Sequence, residues 1–120
     1  MMRVLGIDDD GAVLRLIGEF LAGEGIEFVG ETDAAAGLAA AAAGTFDVVL
    51  TDLIMPATDG IEVIRKLRSK HPHLRIVAMS GGGSSLSGKT FLTMAAKLGA
   101  DAVLQKPFGR KDLLAALRPA

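Results

Sequence analysis

Residues 47–52 read Asp-Val-Val-Leu-Thr-Asp, and the chain continues Leu-Ile-Met-Pro-Ala-Thr-Asp-Gly to residue 60. The run Val48-Val49-Leu50 is apolar without alternation and stops at Asp52. Such a run reads as a short strand buried on both faces, which is the habit of parallel sheets covered by helices. Pro56 and Gly60 then mark a turn. Beyond it, Ile61–Lys70 reads as a helix with Ile61, Val63, Ile64 and Leu67 on one side, and Glu62 and Lys66 have the spacing of an exposed ion pair. Before the strand, Thr32 or Asp33 caps an alanine-rich stretch to Ala43 that Gly44 closes. That stretch is low in complexity, but alanine is the best helix former, so it reads as a closely packed helix rather than a linker.

The same alternation extends in both directions. Val4–Ile7 is an apolar run that ends at Asp8, Asp9 and Asp10, with Asp10 placed as the cap of the helix that follows. Apolar residues at 13, 14, 16, 17, 20 and 21 form a broad helical face opposite Arg15 and Glu19, and Gly23 and Gly25 end it. Ile26–Gly30 alternates, as a half-exposed edge strand does. Ile76–Met79 is a further apolar run, ending at Ser80 and a loop rich in Gly and Ser. Phe91, Leu92, Met94, Ala95 and Leu98 mark a fourth helix, stopped by Gly99. Ala102–Leu104 is a fifth run, ending at Lys106-Pro107, and Leu113, Leu114 and Leu117 mark a last helix. Strand followed by helix, five times, predicts an α/β doubly wound fold with right-handed crossovers.

Composition narrows the class. At 120 residues the chain suits one domain, and half of it is apolar, enough for a core. Thirteen Lys and Arg against 14 Asp and Glu give a net charge of −1, so no basic excess holds a nucleic-acid backbone. The absence of cysteine excludes disulfides, thiolate metal sites and a thiol nucleophile. The longest apolar stretch, Ala34 to Phe46, is too short to insert in a membrane. The start, MMRVLGIDDD, turns acidic before a signal-peptide apolar region forms, so a cytoplasmic protein is expected.

Ligands of open parallel sheets sit outside the C-terminal ends of the strands. Those ends carry Asp8 and Asp9 (strand one), Asp52 (strand three), Ser80 (strand four) and Lys106 (strand five). Two carboxylates about 5 Å apart repel by about 3 kcal/mol at an effective dielectric of about 20, so a cation is expected among them. An oxygen cluster without His or Cys suits Mg²⁺. A carboxylate beside Mg²⁺ can act as a nucleophile towards phosphorus, and one ammonium and one hydroxyl would help neutralise and position the phosphoryl group.

The segments VLGIDDD (4–10), DVVLTDLIMPATDG (47–60), IVAMS (76–80) and VLQKPF (103–108) resemble the receiver domains of bacterial two-component response regulators, over essentially the whole chain. The resemblance implies a five-stranded parallel sheet of the flavodoxin or CheY type, order 2-1-3-4-5, which agrees with strand two reading as an edge. It implies that Asp52 is the phosphoacceptor, that Asp9 ligates Mg²⁺ directly and Asp8 through water, and that the backbone carbonyl of Ile54 is a further ligand. Ser80 would bond a phosphoryl oxygen and Lys106 would pair with it, with a cis bond before Pro107. Pro56 and Gly60 fit the family's turn after the phosphoacceptor. The implied partners are a histidine kinase or histidine phosphotransfer protein and a downstream protein target. Residues 1–120 are expected to form one receiver domain with no output domain, catalysing only its own phosphorylation and dephosphorylation.

Two positions depart from the pattern. Val103 stands where the family usually has Tyr or Phe, so the face formed by the fourth helix, fifth strand and fifth helix is expected to switch differently. Phe91 is a candidate replacement for that ring. Ile54 offers no side chain to align an attacking water, which predicts slow self-dephosphorylation. The loop after Ser80 also looks long, and added phosphate charge can order such segments.

Other readings compete. Gly83-Ser84-Ser85-Leu86-Ser87-Gly88-Lys89-Thr90 fits G-x-x-x-x-G-K-[ST] and would make the chain a small nucleotide-binding protein. Against it, the acidic strand precedes the loop, Gly81 and Gly82 separate the loop from the strand end, and only one strand follows. A receiver-like scaffold indifferent to phosphate is a third reading. His71 and His73 flank Pro72 in a helix-ending loop and are expected to have no role.

Overall fold

In the computed structural model, residues 1–55, 58–81, 93–94 and 96–118 are described. In chain order the elements are β1 (Met2–Ile7), α1 (Gly11–Leu21), β2 (Ile26–Glu31), α2 (Ala34–Ala43), β3 (Val48–Asp52), β4 (Ile54–Met55), β5 (Thr58–Asp59), α3 (Gly60–Lys70), β6 (Arg75–Ser80), β7 (Ala102–Gln105) and α4 (Arg110–Leu117). Residues 93–94 and 96–98 are also helical. Five strands pair in parallel in the order β2-β1-β3-β6-β7, which is 2-1-3-4-5 when these five alone are counted. The turn after Asp52 contains a small antiparallel ribbon of β4 and β5.

Every residue of β3 is buried, as its unalternated sequence requires. Side chains leave the sheet alternately, so each central strand feeds both faces. Leu5, Ile7, Val49, Ile76 and Ala78 pack with Ala34 and Ala41 of α2 and with Val63, Ile64 and Leu67 of α3. Val4, Leu50, Val77 and Met79 pack on the other face with Ile17 and Leu21 of α1 and with Leu113 and Leu117 of α4. Each fully buried Leu or Ile contributes about 2 kcal/mol of apolar burial.

The helix signals act as read. The Asp10 carboxylate accepts the Ala12 N–H at 2.9 Å, and that of Asp33 accepts the Ala35 N–H at 2.7 Å. Gly44 is the C-cap of α2, while Gly23, Gly25 and Gly99 take positive φ after helical segments. The alanine-rich helix lies close on the sheet: a Cβ on Gly37 would sit 2.5 Å from Ile7 Cδ1. The Lys106–Pro107 bond is cis.

Two surface expectations are corrected. Leu16, placed on the apolar face of α1, is 41% exposed. At 3.6 residues per turn it lies about 130° from the stripe that Leu14, Ile17 and Leu21 bury. Glu62 and Lys66 form no ion pair among the described residues, since spacing permits contact but solvated side chains gain little from it. Pro56, the Gly83–Thr90 motif and Phe91 lie outside the described residues. No described helix is long and apolar enough to cross a membrane.

Candidate functional site

β1, β3, β6 and β7 run in parallel, so Asp8, Asp52, Ser80 and Lys106 arrive at one edge of the sheet. Asp8 follows β1 and is fully buried, Asp52 and Ser80 close β3 and β6 and are also buried, and Asp9 is exposed. One carboxylate oxygen from each of Asp8, Asp9 and Asp52 lies within 4.8 Å of the others, the only such group of three among the described residues. His71 and His73, at the turn between α3 and β6, belong to no such group.

Local backbone fixes the acidic pair. The Asp8 N–H donates to the Glu31 carbonyl at 3.1 Å, joining the strand end to β2. The Asp8 carboxylate accepts the Asp10 N–H on Oδ1 at 2.9 Å and the Lys106 ammonium on Oδ2 at 2.6 Å. Lys106 Nζ also reaches Asp52 Oδ2 at 3.3 Å. Lys106 itself is held by its backbone N–H, which donates to the Ser80 carbonyl at 2.8 Å. Burial of the ammonium works against its charge, but the hydrogen bond to Asp8 and the charges of Asp52 and Asp8 outweigh it and hold the Lys106 pKa above 10.5.

Gly60 shapes the wall beside Asp52. A Cβ there would lie 2.5 Å from the Asp52 carbonyl oxygen and 2.4 Å from that of Leu53, so the start of α3 can approach the strand end only without a side chain. The Leu53 N–H donates to the Met79 carbonyl at 3.0 Å and extends the β3–β6 ladder past Asp52. Ile54 follows in β4, its backbone paired with Asp59. Val103 is half-buried and packs with Leu98 and Ala100 against the core on the α2–α3 side.

The donor set fits a small hard cation. Octahedral Mg²⁺ with bonds near 2.1 Å needs ligand oxygens about 3 to 4 Å apart, which the three carboxylates admit with small adjustments and water in the remaining positions. Asp8 already spends both oxygens on Asp10 and Lys106, which leaves Asp9, exposed to solvent, the more available ligand of the acidic pair. The sequence did not single out Arg68 and Asp101, which join α3 to the start of β7. Four of the five Arg68 bonds go to main-chain carbonyls, which leave no mark in a sequence.

Comparison with known proteins gives a consistent result. The transcriptional regulatory protein FixJ of Azorhizobium caulinodans is 33% identical over 112 residues, covering 93% of this chain and 51% of FixJ. The response regulator MprA of Mycobacterium leprae is 34% identical over 117 residues, covering 98% of this chain and 50% of MprA. The chain thus spans about half the length of these curated relatives. Among solved structures, chemotaxis protein CheY4 of Vibrio cholerae superposes with a TM-score of 0.85 at 28% identity, covering 98% of this chain and 96% of that one. A response regulator receiver domain protein from Clostridium thermocellum gives 0.84 at 28% identity, covering 98% and 91%. A family model described as response regulator receiver domain matches residues 4–118, and the chain belongs to that family.

Proposed function

We propose that the chain is the phosphoryl-accepting element of a phosphorelay, with Asp52 as the nucleophile. A carboxylate oxygen of Asp52 attacks the phosphorus of a phosphohistidine on a histidine kinase or phosphotransfer protein. The P–N bond breaks, its electron pair returns to the imidazole, and an aspartyl phosphate remains. Asp8, Asp9, Asp52 and the Ile54 carbonyl would hold Mg²⁺. When bound, that ion supplies charge neutralisation to the transferring group. Lys106 stands ready to exchange its Asp52 contact for a phosphoryl oxygen, and buried Ser80 supplies a hydroxyl at the neighbouring strand end. The phosphorylated form then biases a two-state equilibrium of the face built by β7, α4 and the helical residues 93–94 and 96–98, which a downstream protein reads. The domain would catalyse only its own phosphorylation and dephosphorylation.

The observation that carries this reading is the meeting of three carboxylates within 4.8 Å, with Lys106 Nζ in contact with two of them. Three carboxylates and one ammonium give this edge a formal charge of −2, which a divalent cation neutralises. The nucleotide-binding alternative is not favoured, because the receiver-domain family match spans residues 4–118, a range that includes the Gly83–Thr90 motif. Incubation with acetyl phosphate and Mg²⁺, followed by intact mass, tests the proposal. Labelling of the parent and none of Asp52→Asn supports it, whereas an unlabelled parent rejects it.

A further inference from the structure

Arg68 of α3 uses all five of its guanidinium N–H groups. Nε and Nη2 donate to the Gly99 carbonyl at 3.0 and 2.8 Å. Nη1 donates to the carbonyls of Pro72 and Leu74 at 2.9 and 2.7 Å. The remaining Nη2 hydrogen meets Asp101 Oδ2 at 2.7 Å. That same oxygen accepts the Ile76 N–H at 2.8 Å, while the Asp101 N–H donates to the Ile76 carbonyl at 2.7 Å. Asp101 is therefore clamped to the start of β6 through both its backbone and its side chain, and Arg68 holds the side chain in place.

The clamp sits immediately before a short edge strand whose register packing secures only weakly. β7 is an edge strand of four residues, and only Leu104 in it is buried. Alternation of apolar residues thus specifies its register weakly. A slip of one residue would carry Lys106 about 3.3 Å along β6 and turn its side chain to the opposite face. Lys106 would then lose contact with both carboxylates. The observed register runs from Val77 opposite Ala102 to Ser80 opposite Gln105, and the Asp101–Ile76 exchange fixes one end of that ladder. The Lys106 N–H to the Ser80 carbonyl closes the other end.

We propose that Arg68 is a positioning residue: through Asp101 it locks β7 in register against β6 and so places the Lys106 ammonium on Asp8 and Asp52. Its consequence for phosphoryl transfer rests on the Asp52 reading above; its consequence for the strand does not. Lysine cannot substitute, because an ammonium presents its donors from one point and cannot span carbonyls on separate turns.

Amide hydrogen exchange of Arg68→Lys and Asp101→Asn tests the lock. The Asp101 and Lys106 N–H groups should exchange about tenfold faster than in the parent, while β1 and β3 keep parent rates. A double-mutant cycle with Lys106→Ala tests the functional link. Arg68→Lys should slow labelling by acetyl phosphate about tenfold in the parent background and less than about twofold where Lys106 is already absent. Unchanged exchange in β7, or a uniform rise across all strands, overturns the lock. Equal losses with and without Lys106 overturn its link to the reaction. Should the parent take no phosphoryl group, the Asp52 reading fails, and the exchange measurement still decides the role of Arg68.

Discussion

The Lys106 ammonium lies 2.6 Å from Oδ2 of Asp8, a carboxylate with no exposure to solvent. The two residues are 98 positions apart, and adjacency of the strand ends brings them together. This contact makes the state without metal tolerable: one ammonium offsets the repulsion of carboxylates that otherwise require a cation.

Lys106→Met keeps the length of the side chain and removes its charge. Breaking one side of a buried pair leaves the other charge uncompensated, so unfolding free energy should fall by about 3 kcal/mol in urea without metal. Millimolar Mg²⁺ should restore part of that loss by binding the native state. A variant as stable as the parent in metal-free buffer contradicts the pairing.

The folded pKa of Lys106 lies above its ordinary value of 10.5, chiefly because Asp8 and Asp52 outweigh its burial. A raised lysine stabilises the fold fully below the unfolded pKa and loses that contribution as pH rises through the folded one. The urea midpoint of the parent should therefore decline above pH 10.5, and Lys106→Met should lack this part of the alkaline limb. Superimposable alkaline limbs would contradict the assignment.

Gly60→Ala places a methyl group within 2.5 Å of the Asp52 and Leu53 carbonyl oxygens, and main-chain atoms cannot yield as a side-chain tip can. The start of α3 must shift, at a cost of about 1–3 kcal/mol in stability. Because the strain falls on the residue bearing the proposed nucleophile, labelling by acetyl phosphate should slow as well. Calorimetric melting and labelling rates check both effects.

Gly37→Ala sets two small terms against each other. Alanine improves helix propensity by about 1 kcal/mol, whereas a Cβ 2.5 Å from Ile7 Cδ1 overpacks the core by about 1–3 kcal/mol. The single variant should lose stability, and adding Ile7→Val, which removes Cδ1, should recover part of it. Additive losses in the double variant would show that the crowding lies elsewhere.

Much of the site was legible because a parallel sheet turns a one-dimensional feature into a spatial one. Each buried strand announces itself as an apolar run, and the residue that ends the run lies on the shared edge. Asp8, Asp52, Ser80 and Lys106 were readable for that reason, and Asp10 and Asp33 were readable because caps are local chemistry. Leu16 was misplaced because a broad apolar face on a helix exceeds the stripe that its neighbours can cover. The Glu62–Lys66 spacing allowed a contact that solvent leaves unmade. Arg68 was invisible because its acceptors are mostly main-chain carbonyls, brought to it by a glycine with φ of 99° and a turn through Pro72. Gly60 was readable as a turn residue, and its close approach to the Asp52 and Leu53 carbonyls supplies the physical reason for a glycine there.

Phosphoryl acceptance by Asp52 is tested most directly by intact-mass measurement of the parent and Asp52→Asn after acetyl phosphate treatment, with Mg²⁺ and with chelator. The expected result is a single added phosphoryl group on the parent with Mg²⁺, and none with chelator or on Asp52→Asn. Equal labelling of Asp52→Asn, or labelling indifferent to Mg²⁺, would contradict it.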